Sequence, residues 1–179
     1  MFGTLLTWLL RRKVMKLHRK LADVQQAYDK YLYTSLGMLT VSWTQLESVL
    51  DFVNLAIVAE LKGERHPVSL KAKVRLIRKA HTKVARLSPL REEALSLMGD
   101  IVTLSERRHD LIHGRVVSDQ PGGLKEFERL LHENGGVQIR RVTYEPSQIY
   151  DLCLDVYPLT QRTIDLSRRM LLLLKQQGN

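Results

Sequence analysis

The sequence predicts a mainly α fold: an antiparallel bundle of four to five helices with a small β-hairpin inserted before the last helix. Two patterns carry that expectation. Apolar residues recur at three- and four-residue spacing through most of the chain, which marks a buried helix face. The period changes to alternation over Val137-Gln138-Ile139-Arg140-Arg141-Val142-Thr143-Tyr144, which marks a half-exposed strand. At 179 residues and 44 % apolar content, the chain can bury its own core. It reads as one helical domain over 1–179, with the hairpin insertion at about 115–145.

The first helix is expected from Thr4 to about Tyr33, basic on its outer side, with Leu5, Leu6, Leu9 and Leu10 packing on the bundle or on a partner chain. A second runs from Ser35 to about Leu61, where Leu39, Trp43, Leu46, Leu50, Val53 and Ile57 form a continuous stripe. Gly63 and Pro67 punctuate the chain. Ser69 is placed to cap a third helix, Leu70 to about Ala85, with Val74 and Ile77 inward and Lys71, Lys73, Arg75, Arg78, Lys79 and Lys83 on a basic face. Ser88-Pro89 opens a fourth, with serine as N-cap and proline in the first turn. Its inward face is Leu90, Ala94, Leu97, Ile101 and Leu104, continued by Arg108 and Leu111. His113 should be the last helical residue, and Gly114 should take the left-handed conformation that stops helices. Arg115–Ser118 reads as a short strand, Leu124–His132 as a short helix or a charge-disrupted strand, and Val137–Tyr144 as a strand able to pair with Arg115–Ser118. The last helix is expected over Gln148 to about Lys175, with Ile149, Leu152, Val156, Leu159, Ile164, Leu171 and Leu174 inward and a kink at Pro158.

A single cysteine, Cys153, excludes an internal disulfide and the common zinc frameworks, so the default compartment is cytoplasmic. Net charge is +9 and the pI is about 9.8, which suits a polyanionic partner, either RNA or an anionic membrane surface, without choosing between them. Phe2–Leu10 is apolar and is followed by Arg11-Arg12-Lys13. A secretory signal has the opposite order, and nine residues fall well short of the ~20 that span a bilayer. An amphipathic surface anchor is conceivable, but helix packing is the simpler account and membrane association is not expected.

The chemistry concentrates in Ser105-Glu106-Arg107-Arg108-His109-Asp110-Leu111-Ile112-His113-Gly114. Arg108 occupies a position on an apolar face, and a buried guanidinium is costly unless it is paired or faces a cleft. One reading is an ion pair inside the bundle, with Glu47 or Glu106. The other is an anion-handling site, because arginine grips phosphate with two parallel bonds and histidine exchanges protons near neutral pH. His109 and His113, four apart, share a helix face. Arg108 and His113, five apart, point about 140° from each other on a regular helix. Convergence then needs either a loosened last turn or a twofold dimer that joins two motifs in one cleft.

Arg108-His109-Asp110-Leu111-Ile112-His113 resembles the Arg-x4–6-His signature of HEPN domains, with a polar residue directly after the arginine. Arg107 also fits, with five residues intervening. Trp43-x-x-Leu46-Glu47 is similar to HEPN relatives in which an acidic residue lies near the Arg and His. The resemblance covers Thr34 to Arg115. It implies a metal-independent endoribonuclease without cofactor, a toxin or defence effector acting as a homodimer with a shared Arg/His cleft, and an antitoxin as a possible partner protein. Arg108, His113 and His109 would then be catalytic, with Glu47, Arg107 and Asp110 supporting them. In the implied reaction Arg108 stabilises the phosphorane-like transition state, a histidine handles the 2′-OH or 5′-oxygen proton, and the product is a 2′,3′-cyclic phosphate. Two other readings use the same residues. One is a HEPN-like dimer that binds RNA, nucleotide or protein without cutting. The other is an HD-type metal phosphohydrolase built from His109-Asp110 with His81, Asp151 and Asp155.

Overall fold

The computed structural model describes residues 2–119, 124–133 and 136–175, and the side chains of 12–117, 124–132 and 136–175 among them. The chain forms four α-helices and one three-stranded sheet: α1 (Phe2–Glu60), α2 (Leu70–Lys83), α3 (Arg91–Ile112), β1 (Arg115–Asp119), β2 (Lys125–Glu133), β3 (Gly136–Tyr144) and α4 (Pro146–Lys175). The fold is mainly α, as its periodicity predicts.

Two expected helices are one. α1 runs 59 residues without a break, about 88 Å at 1.5 Å per residue. Thr34-Ser35 offers no proline or glycine to stop it, and the Thr34 hydroxyl donates back to the Lys30 carbonyl, four residues earlier within the helix. The expected stripe from Leu39 to Ile57 is buried throughout. Leu5, Leu6, Leu9 and Leu10 lie outside the described side chains.

After Gly63, whose φ of 88° turns the chain, Ser69 caps α2 by accepting from Ala72 N at 3.3 Å. Lys73 is not on the basic face: it is buried and bonded to Asp51 at 2.9 Å. A 3-10 turn over Ala85–Leu90 takes in Ser88 and Pro89, so α3 starts at Arg91 with Leu90 at its N-cap and no side-chain cap. Ala94, Leu97, Ile101, Leu104 and Leu111 are buried as the spacing predicts. Ion pairs Arg107–Asp155, Arg162–Asp100 and Arg169–Glu93 run α4 antiparallel to α3. Arg86 joins the far ends of α1 and α4, through Glu60 and the Leu174 carbonyl, so those two helices are parallel. The inward face of α4 passes through Leu152, Val156, Thr163, Leu166 and Met170, leaving Ile164, Leu171 and Leu174 half-buried.

The insertion is a three-strand antiparallel meander in the order β1-β2-β3, not a hairpin of β1 with β3. Residues 125–133 form its central strand, pairing Arg115↔Glu128 on one side and Glu128↔Arg141 on the other. The charges fit because they alternate. Glu128 lies on the opposite face from Phe127 and is covered by Arg115 and Arg141, while Phe127 is buried edge-on against Tyr144 at 6.1 Å. Residues 120–123 and 134–135, where turns are expected, lie outside the described residues.

Gly114 is not left-handed; its role is close approach. A Cβ there would stand 2.1 Å from the Asp110 carbonyl oxygen and 3.3 Å from Phe127 Cβ. Gly99, inside α3, has nothing within 4 Å of the same atom. One substitution should therefore have opposite signs at the two positions. Gly99→Ala is expected to raise the unfolding free energy by about 0.5–1 kcal/mol, and Gly114→Ala to lower it by about 1–3 kcal/mol or more; urea melts of both variants measure the difference.

Candidate functional site

The C-terminal turn of α3 meets α1 on one side and the sheet on the other. His113 is the C-cap, with φ −108° and ψ −4°, and its amide still donates to the His109 carbonyl at 3.1 Å. The backbone opens there just enough to swing the imidazole. The result is a convergence that a regular helix forbids: Arg108 Nη1 lies 3.5 Å from His113 Nε2 in a single chain, at the outer limit of a hydrogen bond. A second chain is not needed to bring them together. His109 and His113 share a face as the spacing predicts, their rings stacked with centroids 5.3 Å apart.

Trp43 forms the floor. The Arg108 guanidinium carbon lies 5.6 Å from the centroid of the indole ring, in cation–π range. The indole Nε1 donates to Glu47 Oε1 at 2.6 Å, and Glu47 Oε2 is 4.0 Å from buried Lys73. Arg108 is therefore not in a simple ion pair with Glu47 or Glu106. Its Nε is buried with no hydrogen-bond partner in the chain. Burial works against its charge and the field of Glu47 supports it, a combination that leaves an arginine charged.

Asp110 has a different task. It is fully buried, and its carboxylate is clamped by Arg140 of β3 at 2.9 Å and Arg129 of β2 at 3.4 Å. Arg129 also reaches Glu106 at 3.3 Å. Arg107 pairs with Asp155 at 3.5 Å, away from the histidines. Beside His113 opens a cleft of about 460 Å³ lined by His113, Arg115, Glu128, Arg129 and Leu130. Arg115 and Arg141 both hold Glu128 at 3.0 Å across its rim and lower the affinity of that carboxylate for protons.

The residues of the HD-type reading do not assemble. Asp110 faces arginines, Asp155 faces Arg107, and His81 is buried against the Ile77 carbonyl at 2.9 Å. Among the described residues no three His, Cys, Asp or Glu side chains could together hold a metal ion.

The strand arginines Arg129 and Arg140 escaped the sequence reading. Their signal was the alternation itself, which puts Arg140 on the same face as Val142 and Tyr144 and so calls for a buried acid opposite. Lys73 carried a similar signal, lying one residue before Val74 and four before Ile77 on the inward side of α2. The chain matches no known family model, no curated protein and no solved structure.

Two measurements check this arrangement. Removing the clamped carboxylate by Asp110→Ala leaves two guanidinia facing each other and should lower the unfolding free energy by about 3 kcal/mol, with the amides of β3 losing hydrogen-exchange protection first. The second concerns pH. Burial first, then the positive fields of Arg108, His113 and Arg129, push the His109 pKa below its ordinary value. The unfolded chain thus binds this proton at a higher pH than the folded one, so acid favours unfolding. The stability held by neutral His109 is fully present above about pH 6.5 and is lost as the pH falls below it; His109→Gln should flatten that part of a melting-temperature profile.

Proposed function

We propose that this chain is a metal-independent endoribonuclease of HEPN type whose working unit is the Arg108–His113 pair within one chain. The observation that supports it is the 3.5 Å approach of Arg108 Nη1 to His113 Nε2 beside an open cleft. The cleft wall supplies His113, Arg115 and Arg129 beside Glu128, and a phosphodiester reaching from it past His113 to Arg108 would meet a fixed cation and an exposed imidazole. Arg108 neutralises charge on the equatorial oxygens as the 2′-oxygen attacks phosphorus. His113 takes the 2′-OH proton, the P–O5′ bond breaks, and the proton is returned to the 5′-oxygen. The product is a 2′,3′-cyclic phosphate, and DNA, lacking the 2′-OH, is not cut. His109 assists as a neutral, stacked neighbour that keeps the His113 ring in place. Trp43, held by Glu47, orients Arg108 without touching substrate. Asp110 acts further back, anchoring the helix end.

A binding-only reading has one observation in its favour. Lys71, Arg75 and Arg78 form an exposed basic row on α2, spaced to follow a phosphate backbone. If RNA is held there and not cut, Lys71→Glu/Arg78→Glu will abolish binding while His113→Ala changes nothing.

The deciding experiment is cleavage of a labelled single-stranded RNA in EDTA. Wild type should cut it and leave 2′,3′-cyclic ends. His113→Ala and Arg108→Ala should each lose at least about 100-fold in rate, the usual scale for proton transfer or for one charge-stabilising donor. Variants that cut as fast as the parent would sink the assignment.

A further inference from the structure

The first half of α1 projects from the body, which it meets near its base through Asp29–Lys125, Tyr31–Tyr150 and the groove at Pro146. Leu32 is the first buried residue of the chain's described side chains, and from Arg12 to Tyr31 the helix extends about 30 Å beyond it. On this stalk Val14, Leu17, Leu21, Val24, Tyr28 and Tyr31 follow one another at alternating spacings of three and four. All six are between 37 and 66 % exposed. That is a heptad seam, the pattern of a helix made to pack against another helix along its length. A solitary helix in water gains nothing from such a stripe, and a stripe this long is not scattered surface hydrophobicity.

We propose that the stalk pairs with the stalk of a second copy of this chain, antiparallel. Charge selects both the partner's orientation and its register. Residues 11–20 carry Arg11, Arg12, Lys13, Lys16, Arg19 and Lys20 and no acid. A parallel pair would press these six positive charges against the same six. An antiparallel pair lays them against 25–34, which carry one base, Lys30, and one acid, Asp29, the latter already paired with Lys125 of its own chain at 2.8 Å. In that register Val14 meets Tyr31 of the second copy, Leu17 meets its Tyr28, and Leu21 meets its Val24, so every layer is apolar on both sides. Lys20 then flanks Ala27, and His18 flanks Gln25, with no like-charged neighbour.

The base of the stalk gives the seam a shape. Where α1 enters the body, Val24, Ala27, Tyr28, Tyr31, Pro146 and Ser147 line an open groove of about 330 Å³, mostly apolar. It lies along the seam and faces residues 14–21 of an antiparallel second stalk. Tyr31 is braced there against Tyr150, ring centroids 6.2 Å apart. The pairing sets Leu32 of one chain level with Lys13 of the other and holds the two bodies about 28 Å apart along the stalk axis. It therefore joins two chains without merging their Arg108–His113 sites, and it stands whether or not those sites cut RNA.

The test uses the full chain. Val14→Cys and Tyr31→Cys proteins, distinguishable by a tag, are mixed and oxidised; buried Cys153 does not compete. Antiparallel pairing gives the mixed Val14→Cys/Tyr31→Cys dimer and no Val14→Cys homodimer. Sedimentation of the unmodified protein should show a dimer, weakened roughly tenfold or more by Leu17→Glu/Leu21→Glu. Both replaced side chains are exposed, so the thermal melt of the body should not move. A Val14→Cys homodimer would mean parallel pairing and overturn the proposal. So would a monomer at tens of micromolar, including one that sediments instead with phosphatidylserine vesicles through the same stripe.

Discussion

A buried carboxylate holds this structure's working end together. Asp110 on α3 is clamped by guanidinia from two neighbouring strands, and among the described residues neither strand has another comparably buried ionic tie to that helix. The two guanidinia neutralise a charge that would otherwise be costly to bury. They do so by ion-pair proximity and not by well-formed hydrogen bonds, since neither carboxylate oxygen has a hydrogen-bond partner among the described residues. The clamp therefore fixes the sheet's distance and tilt relative to α3. At the same helix end Gly114 must lack a side chain, because a Cβ would stand 2.1 Å from the Asp110 carbonyl oxygen, with Phe127 of the sheet close by at 3.3 Å. With Gly114 fixed, His113 has one place to be, at the rim of the cleft and within reach of Arg108.

The other side of the site depends on α1. Trp43 presents its face to Arg108 and its N–H to Glu47. Lys73 from α2 stands behind Glu47 and Asp51. Three helices and a sheet thus converge on one arginine and two imidazoles, and most of the polar side chains nearby are engaged in holding others. His113, at the end of the chain of supports, is exposed at the rim of the cleft.

Much of this was legible in the chain itself. The stripe Leu39–Ile57, the face Ala94–Leu111, the Ser69 cap and the stacked pair His109/His113 follow from periodicity and local hydrogen bonding. The convergence of Arg108 with His113 was not legible, because a regular helix separates them and only the opened C-cap and the arginine's long reach bring them together. The single span of α1 was hidden because polar Thr34-Ser35 resembles a boundary, whereas nothing in it removes a backbone hydrogen bond. The central strand was obscured by Lys125, Glu126, Glu128 and Arg129, whose charges are matched across the sheet and against α1 and α3; Lys125, for example, is buried on Asp29 at 2.8 Å. Pairing between distant segments leaves no local mark.

The continuity of α1 has a mechanical consequence. From Arg12 to Trp43 is about 46 Å of one uninterrupted hydrogen-bonded rod, with no proline to act as a hinge. The same rod that carries the exposed outer seam is sunk into the core at Leu32 and Leu39 before it presents the indole to Arg108, so one element serves as both mast and keel.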